Sequence, residues 1–140
     1  MTTERFLVDA SVIARCSRAD VAKRLDVLSA AGVVDTCGVV DLQLLGIVHD
    51  PETYAKVATI REAAFKLLDT SEADFRRAAQ VQALLVASGG PGVAWPLLVV
   101  AAVAERHGVT LLHCDDRYDV IGKVTGQGTE TVGVSGTEPI

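Results

Sequence analysis

What this chain lacks narrows the field before any motif is read. It has no apolar run long enough to cross a bilayer: the longest, residues 97–104, falls far short of the roughly 20 residues a spanning helix needs. The opening Met1-Thr2-Thr3-Glu4-Arg5 sets an acid ahead of a short apolar run, so no secretory segment is expected there. Cysteine is scarce and unpatterned. Cys16, Cys37 and Cys114 form no C-x-x-C pair, which fits a reduced compartment better than a disulfide framework. All three read as small buried hydrophobes. A surplus of basic charge is also missing, with 13 Lys and Arg against 18 Asp and Glu and a net charge of −5. That balance excludes a general nucleic-acid coat, whose affinity comes from neutralising phosphates. It does not exclude an enzyme that handles nucleic acid through bound metal ions. With no linker, repeat or low-complexity tract in 140 residues, the expectation is one soluble, cytoplasmic domain with no membrane contact, large enough to bury a core without staples.

What is present is an alternation of short apolar runs and amphipathic stretches. Phe6-Leu7-Val8 ends on Asp9, and the strand expected over residues 109–113 leads to Asp115. Such wholly apolar runs are typical of parallel strands covered by helices on both faces. Residues 19–31 carry apolar side chains at helical spacing and stop at Gly32. Residues 33–34 and 37–40 read as a strand, with a helix following from Asp41 to about His49. Asp50-Pro51-Glu52 starts a helix that runs to about Lys66. Leu67-Leu68 is a candidate strand, and Ser71-Glu72-Ala73-Asp74 resembles a capping box opening a helix to about Ala87. Residues 89–92 form a loop, and a helix with Pro96 in its first turn ends at His107 before Gly108. A short helix is expected near residues 119–124, and a last strand near 130–134. The pattern predicts a three-layer α/β/α domain over residues 1–134 with a parallel central sheet of about four to five strands. A flexible tail is expected over 135–140.

In such sheets ligands sit beyond the carboxyl ends of the strands. Asp9 and Asp115 are delivered there by position, and Asp41 joins them if its helix begins at the same edge. Asp116 and Asp119 lie close enough downstream to reach the rim. Hydrolysing a phosphodiester needs a nucleophilic hydroxide and a means of absorbing charge on the phosphate. Mg²⁺ or Mn²⁺ held by converging carboxylates supplies both. Each acid also has a plainer reading: Asp9 as a helix cap, Asp41 as a first-turn acid favoured by the helix dipole, Asp116 and Asp119 as solvated turn residues.

A collinear series of motifs now becomes specific: Phe6-Leu7-Val8-Asp9-x-Ser11, Cys37-Gly38-Val39-Val40-Asp41-Leu42 and Ala79-Gln80-Val81-Gln82-Ala83-Leu84-Leu85. Pro96-Leu97-Leu98 follows with Ala101-Ala102-Val103-Ala104-Glu105, then Leu111-Leu112-His113-x-Asp115 and Thr125-Gly126-Gln127-x-Thr129-Glu130. Over nearly its whole length the chain resembles PIN-domain toxins of the VapC type. The resemblance implies a Mg²⁺-dependent endoribonuclease that arrests growth, forms a homodimer and is held inactive by a small VapB-like antitoxin. It implies metal ligation and catalysis by Asp9, Asp41 and Asp115, with Ser11 in support, although Ser11 equally suits a helix start. Asp41 stands where the family usually has Glu and reaches less far.

Other departures thin the site. Leu97 takes the place of the family's third acid, and Arg117 replaces the second acid of an Asp-x-Asp pattern and would compete with a cation. Ala10 and Gly89-Gly90-Pro91 replace basic residues that would contact phosphates. Asp116 or Asp119 would have to compensate. The alternative is a catalytically inactive PIN scaffold that binds antitoxin. A haloacid-dehalogenase-type phosphatase is disfavoured because Ser11 stands where that chemistry needs an acid. His113 and Cys114, adjacent on a strand, point to opposite faces and make a poor metal pair. Trp95 is read as either a core residue or a partner contact.

Overall fold

The computed structural model describes residues 3–136. Its centre is a parallel sheet ordered β3-β2-β1-β4-β5, built from β1 (Phe6–Val8), β2 (Val34–Cys37), β3 (Lys66–Leu68), β4 (Thr110–Asp115) and β5 (Thr129–Gly136). The helices are α1 (Ala10–Ile13), α2 (Ala19–Ala30), α3 (Gly38–Leu45), α4 (Pro51–Ala64), α5 (Glu72–Ala87), α6 (Trp95–His107) and α7 (Arg117–Thr125). Val8, Phe6 and Leu112 pack on one face of the sheet with Val21 and Leu28 of α2. Leu7 and Leu111 pack on the other with α3, α5, α6 and α7. The three-layer α/β/α expectation holds.

Local chemistry sets many boundaries. Asp50 caps α4 by accepting from the Thr53 amide at 2.9 Å, with Pro51 at the first position. Ser71 and Asp74 close a reciprocal capping box on α5. Gly108 ends α6 at φ 67°, in the left-handed region that a residue without Cβ enters freely. α6 is apolar almost throughout because it is buried from Leu97 to Ala104, wedged beneath α5 and the sheet.

Several boundaries differ from the sequence reading, and α3 ends at Leu45, short of the expected His49. β2 stops at Cys37 and α3 begins at Gly38, so Val39 and Val40 are helical, and Asp41 lies inside the first turn instead of opening the helix. Their β-branched character suggested a strand, but packing under the sheet overrides that preference: Val40 is fully buried. β4 continues to Asp115, which is therefore its last residue. β5 reaches Gly136, so the domain boundary expected at residue 134 falls inside a strand, and the rest of the expected tail, residues 137–140, lies outside the described residues. Among the described residues no helix is long and apolar enough to cross a membrane. Cys37 and Cys114 are buried as expected, whereas Cys16 is exposed. Trp95 is 60% exposed and does not belong to the core. It sits at the first turn of α6, where no neighbouring layer covers it.

Candidate active site

β1 and β4 are neighbours, and the strand order reverses between them, which leaves a crevice at their carboxyl ends. Asp9 follows β1 directly and caps α1, its Oδ2 accepting from the Ser11 amide at 3.0 Å. Its other oxygen accepts from the Tyr118 hydroxyl at 2.6 Å. Asp9 is only 4% exposed, so these two neutral donors satisfy much of a carboxylate that water barely reaches. Burial, followed by the charge of Asp9, pushes the Tyr118 phenol well above its ordinary value, which keeps it a donor.

Asp115 ends β4, the strand next to β1, and meets a different partner. Arg117 opens α7 and donates from Nε to Oδ1 at 2.9 Å and from Nη2 to Oδ2. Its backbone amide donates to Oδ1 at 3.0 Å. Burial pushes the Asp115 carboxyl up, but the hydrogen bonds and charge of Arg117 outweigh it and hold the group below the usual carboxylate range. Asp41 is paired as well, by Arg61 of α4 at 2.8 Å, a close ion pair whose angles fall short of a hydrogen bond. Here burial prevails over the arginine, and the Asp41 carboxyl is raised. Burial pushes the Cys37 thiol up, and the charges of Asp9 and Asp41 add to that, so both acids lie near it.

Ser11 has a structural role: its Oγ accepts from the Cys114 amide at 3.0 Å and ties α1 to the end of β4. Asp9, not Ser11, starts the helix. Asp116 is exposed at the start of α7. Asp119 comes within 3.4 Å of His113 Nε2. His113 is fully buried, accepts from the Asp115 amide through Nδ1 at 3.2 Å and lies against the Tyr118 ring. Burial lowers its basicity, although Asp119, Asp9, Asp115 and Asp116 all pull the other way.

Tyr118 and Arg61 were not foreseen from sequence. Tyr118 lies just ahead of the helix expected near residues 119–124 and belongs to α7 in the structure, and no local pattern links Arg61 to Asp41. The carboxylates offer oxygen donors of the kind that suits Mg²⁺ or Mn²⁺. With Arg61 on Asp41 and Arg117 on Asp115 they are not gathered round one: among the described residues no three His, Cys, Asp or Glu side chains are grouped to hold an ion. Leu97 packs in the apolar core at 5% exposure, and two of the three acids already carry arginines.

A parallel sheet in this order, with acids from β1, α3 and β4 at one edge, has the architecture of a PIN domain. No protein-family profile matches the sequence. Ribonuclease VapC51 of Mycobacterium tuberculosis is 35% identical over 133 residues, covering 95% of this chain and 96% of that protein. Ribonuclease VapC21 of the same species is 32% identical over 136 residues, covering 96% and 99%. The chain belongs to the VapC ribonuclease family. Among solved structures, DNA-bound VapBC from Salmonella typhimurium superposes with a TM-score of 0.74 at 15% identity, covering 92% of this chain and 98% of that one. VapBC-5 from Mycobacterium tuberculosis gives 0.63 at 21% identity, covering 95% and 99%. These two likenesses concern the fold.

Proposed function

We propose that this chain is the toxin of a VapBC-type pair: a cytoplasmic endoribonuclease that cuts RNA at the crevice formed by Asp9, Asp41 and Asp115. In this reading it acts as a homodimer, depends on Mg²⁺ or Mn²⁺ and is restrained by a VapB-like antitoxin. The observation that carries the reading is the full-length likeness to VapC ribonucleases, joined to the delivery of Asp9 and Asp115 to the carboxyl ends of adjacent strands. Within the site Tyr118 and Ser11 orient Asp9, while His113 braces the Asp115 amide from beneath. Asp116 and Asp119 form the outer, solvent-facing rim.

The test is cleavage of a labelled structured RNA by antitoxin-free protein while Mg²⁺ and Mn²⁺ are titrated. Asp9→Ala is expected to lower the rate by about a hundredfold or more. Equal cutting by this variant would expose a contaminating nuclease and remove the support for the crevice. Silence in the natural chain, relieved by Leu97→Asp, would favour the inactive antitoxin-binding scaffold instead. That outcome has a specific motive in the structure, since Leu97 faces an apolar environment where an acid would be needed.

A further inference from the structure

Two of the three acids at the edge are paired with arginines of the same chain. Asp115 is 6% exposed, and one residue supplies its charged partners: Arg117 Nε lies 2.9 and 3.2 Å from its two oxygens, and Nη2 completes the fork. A carboxylate offers about four lone-pair sites, and with the Arg117 amide this residue engages most of them. Arg61 holds Asp41 in a pocket where both side chains are less than one-fifth exposed. Of the three acids only Asp9 is held by neutral donors. A divalent cation approaching this edge therefore meets a field close to that of one carboxylate instead of three, and Coulomb attraction falls in proportion.

The two arginines are not equivalent. Arg61 reaches Asp41 from a separate helix and is 17% exposed, whereas Arg117 sits two residues beyond its acid and is 35% exposed. The Arg117 guanidinium thus has solvent beside it and a flexible stem on which to swing away.

We propose that Arg117 is a resident counter-ion of the site: its guanidinium holds Asp115 where a divalent cation would, so that cation binding requires its displacement and Arg117 sets the affinity. The inference rests on the reading above only in taking Asp9 and Asp115 as the cation-binding acids. It differs from the effect of Leu97, which removes a donor, because Arg117 adds a competitor that a substitution can remove.

The experiment measures Mn²⁺ binding alone, with free ion followed by electron paramagnetic resonance, on the full chain and on Arg117→Ala, Arg117→Gln and Arg117→Lys. The alanine and glutamine variants are expected to bind Mn²⁺ about tenfold tighter or more. Lysine keeps the charge but loses the fork, and is expected between them and the natural chain. Adding Asp9→Asn to Arg117→Gln should abolish the gain. Circular dichroism establishes which variants are folded, and the two neutral replacements guard against one that is not. Unchanged or weaker Mn²⁺ affinity in a folded neutral variant would overturn the proposal, as would a gain that survives Asp9→Asn. Tighter Mn²⁺ without RNA cleavage at any metal concentration would uphold the counter-ion and count against the ribonuclease reading.

Discussion

At the scale of single residues, the geometry around Asp9 is the most sensitive feature. Tyr118 is fully buried and its hydroxyl lies 2.6 Å from Asp9. Tyr118→Phe preserves the ring's packing but removes one donor from a buried carboxylate. The expected loss of stability is about 1–3 kcal/mol, checked by urea unfolding, and RNA cleavage should fall with it because Asp9 is no longer held from that side. Asp9 and Asp115 were legible in sequence because one follows a short apolar strand and the other stands at the end of a second, so position along the chain gives position at the sheet edge. Arg117 was legible as a departure from a pattern, although its fork on Asp115 was not. The Tyr118–Asp9 bond joins residues 109 apart, and the Arg61–Asp41 pair spans two helices. No periodicity encodes either contact. Trp95 and Cys16 were misjudged or left open because exposure depends on what the rest of the fold covers.

At the scale of elements, helix ends carry testable chemistry. Asp74 is 1% exposed, accepts from the Ser71 amide at 2.8 Å and is also engaged by Arg106 of α6. Asp74→Ala removes the α5 capping box and is expected to cost about 1–2 kcal/mol, visible as a lower urea midpoint with an unchanged slope. Gly108→Ala forces a Cβ into the left-handed conformation that ends α6 and is expected to cost about 1 kcal/mol, measured the same way. These boundaries were legible because caps act within a turn of the residues that encode them. The β2–α3 junction was not. Val39 and Val40 have side chains suited to a strand, and their helical state follows from burial against α6 and the sheet, a contact with distant sequence.

At the scale of the whole molecule, the charged groups define the pH response. Asp74 and Asp115 sit below the usual carboxylate range: burial pushes each up, but Arg106 with Ser71 outweighs it at Asp74 and Arg117 outweighs it at Asp115. A depressed carboxyl stabilises the fold fully above its unfolded value, and that stability is lost as pH falls through the folded value. Asp41 has the opposite sign: burial raises it, so its charging works against the fold as pH rises through the raised value. The urea midpoint is therefore expected to fall below about pH 4, and Asp74→Asn should make that acid limb shallower. An unaltered limb would show that Asp74 is not among the groups responsible. By itself the sequence determined the alternation of strands and helices, the layered parallel sheet, most helix ends and the two acids at strand ends, because these depend on periodicity, capping and strand direction, all local in the chain. Only the tertiary structure decided which charges meet: that Tyr118 holds Asp9, that Arg61 and Arg117 neutralise Asp41 and Asp115, and that Leu97 is sealed in the core. Electrostatic partnership and burial depend on separation in space, and that separation exists only once the layers have packed.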